Sequence, residues 1–374
     1  MNFELTKEQE SISNSAVDFA KKALEPIAYE DDRSARYPKE VVDEMASKGY
    51  LGMLISKDYG GGDIGMANMA ALLIGLGKYY ASVAAILSSH AVAAAQTIEK
   101  YGTVDQKKAY LPHMVSGELL GGYAFAEPNA ALASGDDKAI AAKDGNDYKL
   151  TGKKTFVSNG DEAGVYVVIA QTDEEMGPKG ISAFIVEKSE IKESRNIDKL
   201  GRRSFPTTEI TLAGAKASLL GGLNEGQAII ADVSARMDIA NGAMASGIAS
   251  ALVEDSVEYT KTRIQFGAPL AKIQAVQWML AAMDGDRHLM EMLVYAAADR
   301  YDKGGDYIKE AAYLKLFSMH ASQEIGMNGV QVHGGKGYSR EEKVERYFRD
   351  IRGAYHIENA NDYPQKVIVS ALIK

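Results

Sequence analysis

A chain of 374 residues, 46% hydrophobic and 25% charged, is long enough to bury one large core or two to three smaller ones, and its composition is that of a folded globular protein, not a disordered one. Its net charge of -9 argues against nonspecific nucleic-acid binding, which needs basic surface. The absence of cysteine excludes a disulfide framework, a thiolate metal site and a cysteine nucleophile. The first residues, MNFELTKEQES, carry no basic segment followed by an apolar one, so no secretory signal is expected and the expected compartment is the cytoplasm. The apolar run from Ala81 to Ile98 is interrupted by Ser82, Ser88, Ser89, His90 and Gln96. It is expected as a buried helix and not as a membrane span.

In chain order the hydrophobic period changes twice. From Leu5 to Gly117 it is helical. Thr6 and Gln9 have capping-box spacing, and Ile12, Ala16, Phe19 and Ala20 then fall on one face. Pro26 is expected to close that helix, and Tyr37-Pro38 to open another with Val41, Val42 and Met45 inward and Gly49 near its end. The Gly60-Gly61-Gly62 loop leads into alanine-rich helices ending near Tyr101-Gly102. After Gly117 short β-branched and aromatic runs follow: GGYAFAE, AIAAK, YKLTGKKTFVSNG, VYVVIAQ, ISAFIVE and TTEITLAG. Asp144-Gly145-Asn146 is a hairpin signal between two of them, and the spacing predicts a compact antiparallel barrel or sandwich. Beyond Gly226 the helical period returns, over Ala228 to Thr262, Ile273 to Asp302 and Tyr307 to Val332, with a break at Phe266-Gly267-Ala268-Pro269.

Helices, then strands, then helices make an α+β protein with an N-terminal helical domain (1–117), a central β-domain (118–225) and a C-terminal helical bundle (226–374). No GxGxxG follows a strand and no Walker loop exists, so neither nucleotide fold is expected. Hydrolytic and metal chemistry find no support. The histidines have no HExxH or comparable ligand spacing, no GxSxG is present, and the H-x-E of His356-Ile357-Glu358 lacks the cysteines that a zinc deaminase requires.

Five strings in order, FAEPNA (Phe125 to Ala130), FVSNG (Phe156 to Gly160), TRIQFGAPLAKIQAVQ (Thr262 to Gln277), QVHGGKGY (Gln331 to Tyr338) and YFRD (Tyr347 to Asp350), resemble the acyl-CoA dehydrogenase family over essentially the whole chain. The resemblance implies a flavoprotein oxidoreductase of fatty acid metabolism that binds FAD between the β-domain, the C-terminal helices and a neighbouring subunit of a homotetramer. It implies that Phe125, Ala126, Phe156 and Ser158 face the flavin, with the Ser158 hydroxyl near its N5. Arg263, Gln265 and Phe266 would reach across a subunit contact to the FAD pyrophosphate, a role suited to a guanidinium. Gln331, Gly334 and Gly335 would lie beside the adenosine half, where glycine permits close approach, and Ala360 and Asp362 would complete the cofactor contacts. Ser134 and Arg236 would contact the acyl-CoA substrate. For Arg236 the alternatives are holding the CoA end, supporting Glu358, or being an ordinary charge on a long helix.

Glu358 carries the chemistry in this reading. It follows Arg349-Asp350 at the family's spacing for a catalytic base, and the other family position for a base holds Ala235, which is no acid. The implied reaction moves the α-proton of a short- or medium-chain thioester onto Glu358 and a β-hydride to flavin. An electron-transferring flavoprotein is the implied electron partner. Three departures cluster around the site: the Ala126-Glu127-Pro128 loop lacks the family's threonine, Asn359-Ala360 stands where Gly-Thr is usual, and Phe156 where tryptophan is often found. They keep two alternatives open: an enoyl-thioester reductase or dehydrogenase of carrier-bound acyl groups, and a noncatalytic flavin- or CoA-binding subunit.

Overall fold

The computed structural model describes residues 5–128, 138–353 and 363–373. The N-terminal block starts with α1 (Lys7–Phe19), whose N-cap Thr6 accepts from the Gln9 N–H while the Gln9 side chain accepts from the Thr6 N–H, the reciprocal pair its spacing predicts. A π-helical turn prolongs it to Leu24, just before Pro26. Helix α2 (Ala28–Ser34), which has no strong sequence signal, precedes α3 (Lys39–Ser47), and Val41, Val42 and Met45 of α3 are buried as expected. Helix α4 (Gly65–Tyr79) leads into a longer one: α5 (Ala81–Ser88), a π-helical stretch from Ser89 to Ala95, and α6 (Gln96–Tyr101). Together Ala81–Tyr101 is long and apolar enough to cross a membrane, and its apolar part, residues 81–98, is wholly buried inside the protein. Helix α7 (Val104–Ser116), opened by a second capping box at Thr103 and Gln106, closes the block.

Seven strands follow: β1 (Gly121–Ala124), β2 (Ile140–Asp144), β3 (Asp147–Ser158), β4 (Val165–Gln171), β5 (Ile181–Glu187), β6 (Glu193–Asn196) and β7 (Thr207–Leu220). Their order is β1-β3-β2-β4-β5-β7-β6, and β3–β7 and β1–β4 pairings close it into a barrel. Its interior is filled by Leu150, Val168, Phe184, Ile210 and Leu212, among others. The hairpin between β2 and β3 turns at Gly145-Asn146, with Asp144 opposite Asp147. The barrel is not purely antiparallel as the sequence pattern suggests: β1 pairs parallel with β4, Gly121 opposite Val165 through Ala124 opposite Val168. The cause is topological. β1 runs antiparallel to the end of β3 at Tyr123 and Ser158, and the chain reverses after β3 to enter β4, so β4 comes back alongside β1 in the same direction.

The C-terminal block is α8 (Gly226–Thr262), a two-stranded hairpin at Ile264–Gln265 and Ala268–Pro269, α9 (Gln274–Asp302), α10 (Ile308–His333), α11 (Lys343–Ile351) and α12 (Tyr363–Leu372). One continuous apolar core joins α1, α4, α5, α8, α9 and α10 to the outer face of the sheet, contributed by Val165, Val167, Ile169 and Ile185. The β-barrel is thereby fixed to both helical blocks, and the grooves between them keep one geometry.

Candidate functional site

A cavity of about 900 Å³ opens where the barrel meets the loop before β7 and the ends of α11 and α12. That volume lies at the upper end of the range for small-molecule sites. Its first wall is built by a bulge. Lys154 of β3 pairs with Ile210 of β7, but Val157 pairs with Thr208, so one extra residue is inserted between them. Phe156 sits in that insertion with φ 51°, left-handed backbone that an aromatic residue rarely adopts. The bulge turns its ring out of the sheet, 61% exposed, into the cavity. Two residues on, the Ser158 hydroxyl accepts a hydrogen bond of 3.1 Å from the Tyr123 N–H.

The same strand end is anchored from below. Asn159, fully buried with φ 56°, donates through Nδ2 to the carbonyls of Gly121 (2.8 Å) and Ile86 (3.1 Å). Ile86 lies just before the helix widens from α to π winding, where the regular carbonyl ladder is interrupted. His90, inside the π stretch, accepts from the Gly121 N–H at Nδ1 (2.9 Å), which leaves Nε2 to donate to the Met114 carbonyl at 3.1 Å. Burial lowers the His90 pKa to about 4, consistent with a neutral ring of fixed tautomer. Both polar groups of Gly121 are thus held by side chains, and with them the start of β1 that leads to Tyr123, Phe125 and Ala126 on the cavity wall.

The opposite wall is the segment from Ile197 to Phe205. A Cβ on Gly201 would stand 2.1 Å from the Arg349 carbonyl, so only glycine permits this loop to lie against the end of α11. Arg349 binds both oxygens of Asp32 (2.6 and 3.1 Å), both oxygens of Glu345 (2.7 and 2.9 Å) and the Leu200 carbonyl (3.0 Å). This bidentate cation ties all three blocks together. Arg202, buried with φ 49°, donates its backbone N–H to the Asp350 carboxylate and its Nη1 to Asn241 of α8 at 3.1 Å. Lys199 donates to the Phe205 carbonyl at 2.8 Å, and its pKa is lowered to about 8 by burial and by the neighbouring Arg203. Among the described lining residues seven are lysine or arginine and two are carboxylates, in a chain of net charge -9. Such a wall suits an anionic ligand.

Apart from Arg236, the expected site residues divide into four groups. Phe125, Ala126, Phe156 and Ser158 come together on the cavity wall. Arg263, Gln265 and Phe266 do not join them; they are exposed on the hairpin after α8, and Phe266 is 93% exposed with φ 53°. Gln331, Gly334 and Gly335 are also exposed and away from the cavity, and the Gly334 N–H donates to the Gln331 carbonyl as the C-cap of α10. Ser134, Glu358, Ala360 and Asp362 lie outside the described residues.

Arg236 corrects an expectation. It is fully buried and its five N–H groups bond Asp232 (3.1 and 2.8 Å), Gln96 (3.2 Å), Thr97 (2.9 Å) and the Val92 carbonyl. A guanidinium so committed has no donor left for a CoA ester, and it serves to join α8 to the π-helical stretch. Sequence reasoning also missed the loop from Ile197 to Arg202, whose only signal is a run of charged residues flanking Gly201. It missed the pairing of Lys154 with Glu127, although both lie in or beside the quoted motifs.

An α-β-α chain whose barrel and C-terminal helices share a cavity with an out-turned aromatic and a basic wall is built for a flat, anionic cofactor and its substrate. The chain belongs to the acyl-CoA dehydrogenase family: residues 6–118 match its N-terminal domain, 122–215 its middle domain and 224–372 its C-terminal domain. It is 36% identical to acryloyl-CoA reductase (NADH) of Anaerotignum propionicum, covering 100% of this chain and 96% of that one. The butyryl-CoA dehydrogenase structure from Megasphaera elsdenii matches with TM-score 0.95 and 34% identity over 100% of both chains. A structure described under the electron transferring flavoprotein of Acidaminococcus fermentans matches with TM-score 0.95 and 32% identity, again over 100% of both chains.

Proposed function

We propose that this protein is an FAD-dependent oxidoreductase that introduces an α,β double bond into a short- or medium-chain acyl-CoA thioester, with Glu358 as the base. The observation that carries this reading is the composition of the cavity wall. Phe125, Ala126, Phe156 and Ser158 lie on it together with Gly353 and Tyr363, the two described residues that bracket the segment bearing Glu358. Family membership over the whole chain supports the same assignment.

The wall fits FAD by its chemistry: an exposed aromatic face at Phe156, a hydroxyl at Ser158, and cations for phosphates. FAD when bound supplies a hydride acceptor. The Ser158 hydroxyl accepts from the Tyr123 N–H at 3.1 Å and donates to the Tyr123 carbonyl over a long 3.5 Å, a contact that its proton would exchange for a closer acceptor on the flavin. Glu358 takes the α-proton as the α C–H bond breaks, the β C–H pair of electrons leaves as hydride, and the C=C bond forms between those carbons.

The similarity to acryloyl-CoA reductase favours one second reading, the same chemistry run toward the saturated thioester. An electron-transferring flavoprotein serves in either direction as acceptor or donor. A homotetramer accounts for the exposed hairpin, where Ile264 and Phe266 present apolar surface to solvent in the single chain; Arg263, Gln265 and Phe266 would then reach the cofactor of a neighbouring subunit, and Gln331, Gly334 and Gly335 its adenosine half. Light scattering returning a monomer with full FAD content would contradict this assembly. We place the protein in the cytoplasm, which fractionation of the source cells tests.

The decisive experiment is anaerobic titration with butyryl-CoA, followed by flavin absorption. Bleaching with formation of crotonyl-CoA is expected, and Glu358→Gln should abolish it while leaving FAD bound. A flavin band that no thioester bleaches would favour a noncatalytic subunit, and a purified protein without flavin would overturn the proposal.

A further inference from the structure

Lys154 is the residue the mechanism leaves unused. It lies in β3 just before the bulge, only 1% exposed, on the wall of the cavity. Its ammonium donates to the Phe125 carbonyl at 3.0 Å and to Glu127 Oε1 at 2.8 Å. The same Glu127 oxygen accepts from the Ala139 N–H at 3.0 Å. A plain buried ion pair is the competing explanation. Yet removing a lysine head from water costs several kcal/mol, on the order of what its partner returns, and an apolar side chain would fill the space as well. A pair kept solely for stability therefore has little to recommend it at this position.

Its contact with the Phe125 carbonyl gives it a second effect. The described chain has no cis peptide, so the Phe125 carbonyl and the Ala126 N–H point in opposite directions along one plane. Holding the carbonyl fixes the N–H. The next carbonyl, of Ala126, is held by the Thr155 N–H at 2.9 Å. The strip that lines the cavity at Phe125 and Ala126 is thus oriented from behind by one strand, and the Lys154 ammonium stands against it, its pKa lowered by burial and sustained by the Glu127 carboxylate.

We propose that Lys154 is a positioning residue for the flavin, and that the Lys154–Glu127 pair tunes its redox potential by setting the charge behind the 125–126 peptide. Reduction adds two electrons to the bound flavin and makes it more negative, so the ammonium favours the reduced form and the carboxylate opposes it. This inference rests on the proposal that the cavity holds FAD.

The test is the midpoint potential of the bound flavin, measured by slow enzymatic or dithionite reduction in the presence of a reference dye of known potential. Lys154→Met should lower it, and Glu127→Gln, which keeps an oxygen for Ala139 and Lys154, should raise it. Each change is expected to alter the ratio of reduced to oxidised flavin at fixed potential by about tenfold, which is ~30 mV for a two-electron couple. Lys154→Arg, which keeps the charge, should stay near the wild type. Opposite signs are the diagnostic result, because structural damage alone would move both variants the same way or simply release FAD. Shifts of equal sign, or no shift with FAD retained, would overturn the inference. If Lys154→Met does not fold, a Glu127→Gln potential at or below the wild type overturns it on its own. Wild-type protein that binds no flavin would instead refute the FAD assignment on which the inference stands.

Discussion

Replacing Asn159 tests whether the site is anchored from below as the geometry requires. Its side chain is fully buried and donates to two carbonyls, Gly121 and Ile86, while its own Oδ1 has no partner. Asn159→Gly leaves the Gly121 carbonyl without this donor, at about 1–3 kcal/mol, takes about 1 kcal/mol from Ile86, whose carbonyl still accepts from the Ser89 N–H, and relieves one orphaned oxygen worth about 1–3 kcal/mol, for a net loss of about 1 kcal/mol. Glycine accepts the φ of 56° at no steric cost. Asn159→Ala loses the same bonds and adds about 1–2 kcal/mol for a left-handed Cβ. Asn159→Asp is the most severe, because a carboxylate would be buried against the two carbonyls with nothing to donate. Urea denaturation should therefore rank the variants wild type, Gly, Ala, Asp in falling stability, and FAD retention should fall in the same order. An Asp variant as stable as the Gly variant would refute the assignment of Nδ2 as donor to these carbonyls.

Much of the framework was legible because it depends on local chemistry. The capping box at Thr6 and Gln9, the inward face of α3 and the Gly145-Asn146 turn each follow from a few adjacent residues. The motif strings led to Phe125, Ala126, Phe156 and Ser158, and the fold brings these four to one wall. What stayed hidden depends on long-range partners. Lys153 and Lys154 are adjacent lysines in a strand, and composition alone would put both in water, yet the strand's alternation buries Lys154 against Glu127. Asp232 stands four residues before Arg236 and could have suggested their pairing, but Val92, Gln96 and Thr97 come from a helix about 140 residues away. The widening of Ser89 to Ala95 to π winding has no signature in an alanine-rich run. The parallel β1–β4 pair depends on how the chain reverses after β3, which strand periodicity does not encode.

Arg236→Met should destabilise the protein by about 3–5 kcal/mol by leaving buried Asp232 short of its main partner. A raised KM for acyl-CoA at unchanged stability would show instead that the guanidinium reaches substrate. Phe156→Gly should weaken FAD binding, read by flavin fluorescence, without lowering apoprotein stability, because the left-handed backbone strain of roughly 1–2 kcal/mol is removed with the ring. Asp350 supplies a pH signature. Burial, then the nearby Asp32, raises its pKa from 3.8 to about 6 in the folded protein. Between those values the folded chain holds more of this proton than the unfolded one, so stability falls as pH rises through the window. A shift of about 2 units corresponds to ~3 kcal/mol lost by pH 7. Asp350→Asn retains an acceptor for the Arg202 N–H but cannot ionise. Its stability relative to wild type should therefore rise by about that amount from pH 4 to pH 7. His90, with its pKa lowered to about 4, acts in the opposite direction over the same range, gaining stability as pH rises, but it is present in both proteins and cancels in the difference. A stability difference between the two proteins that does not change with pH would mean that Asp350 is ionised at no cost, with its charge balanced by Arg346, Arg349 and the Arg202 N–H.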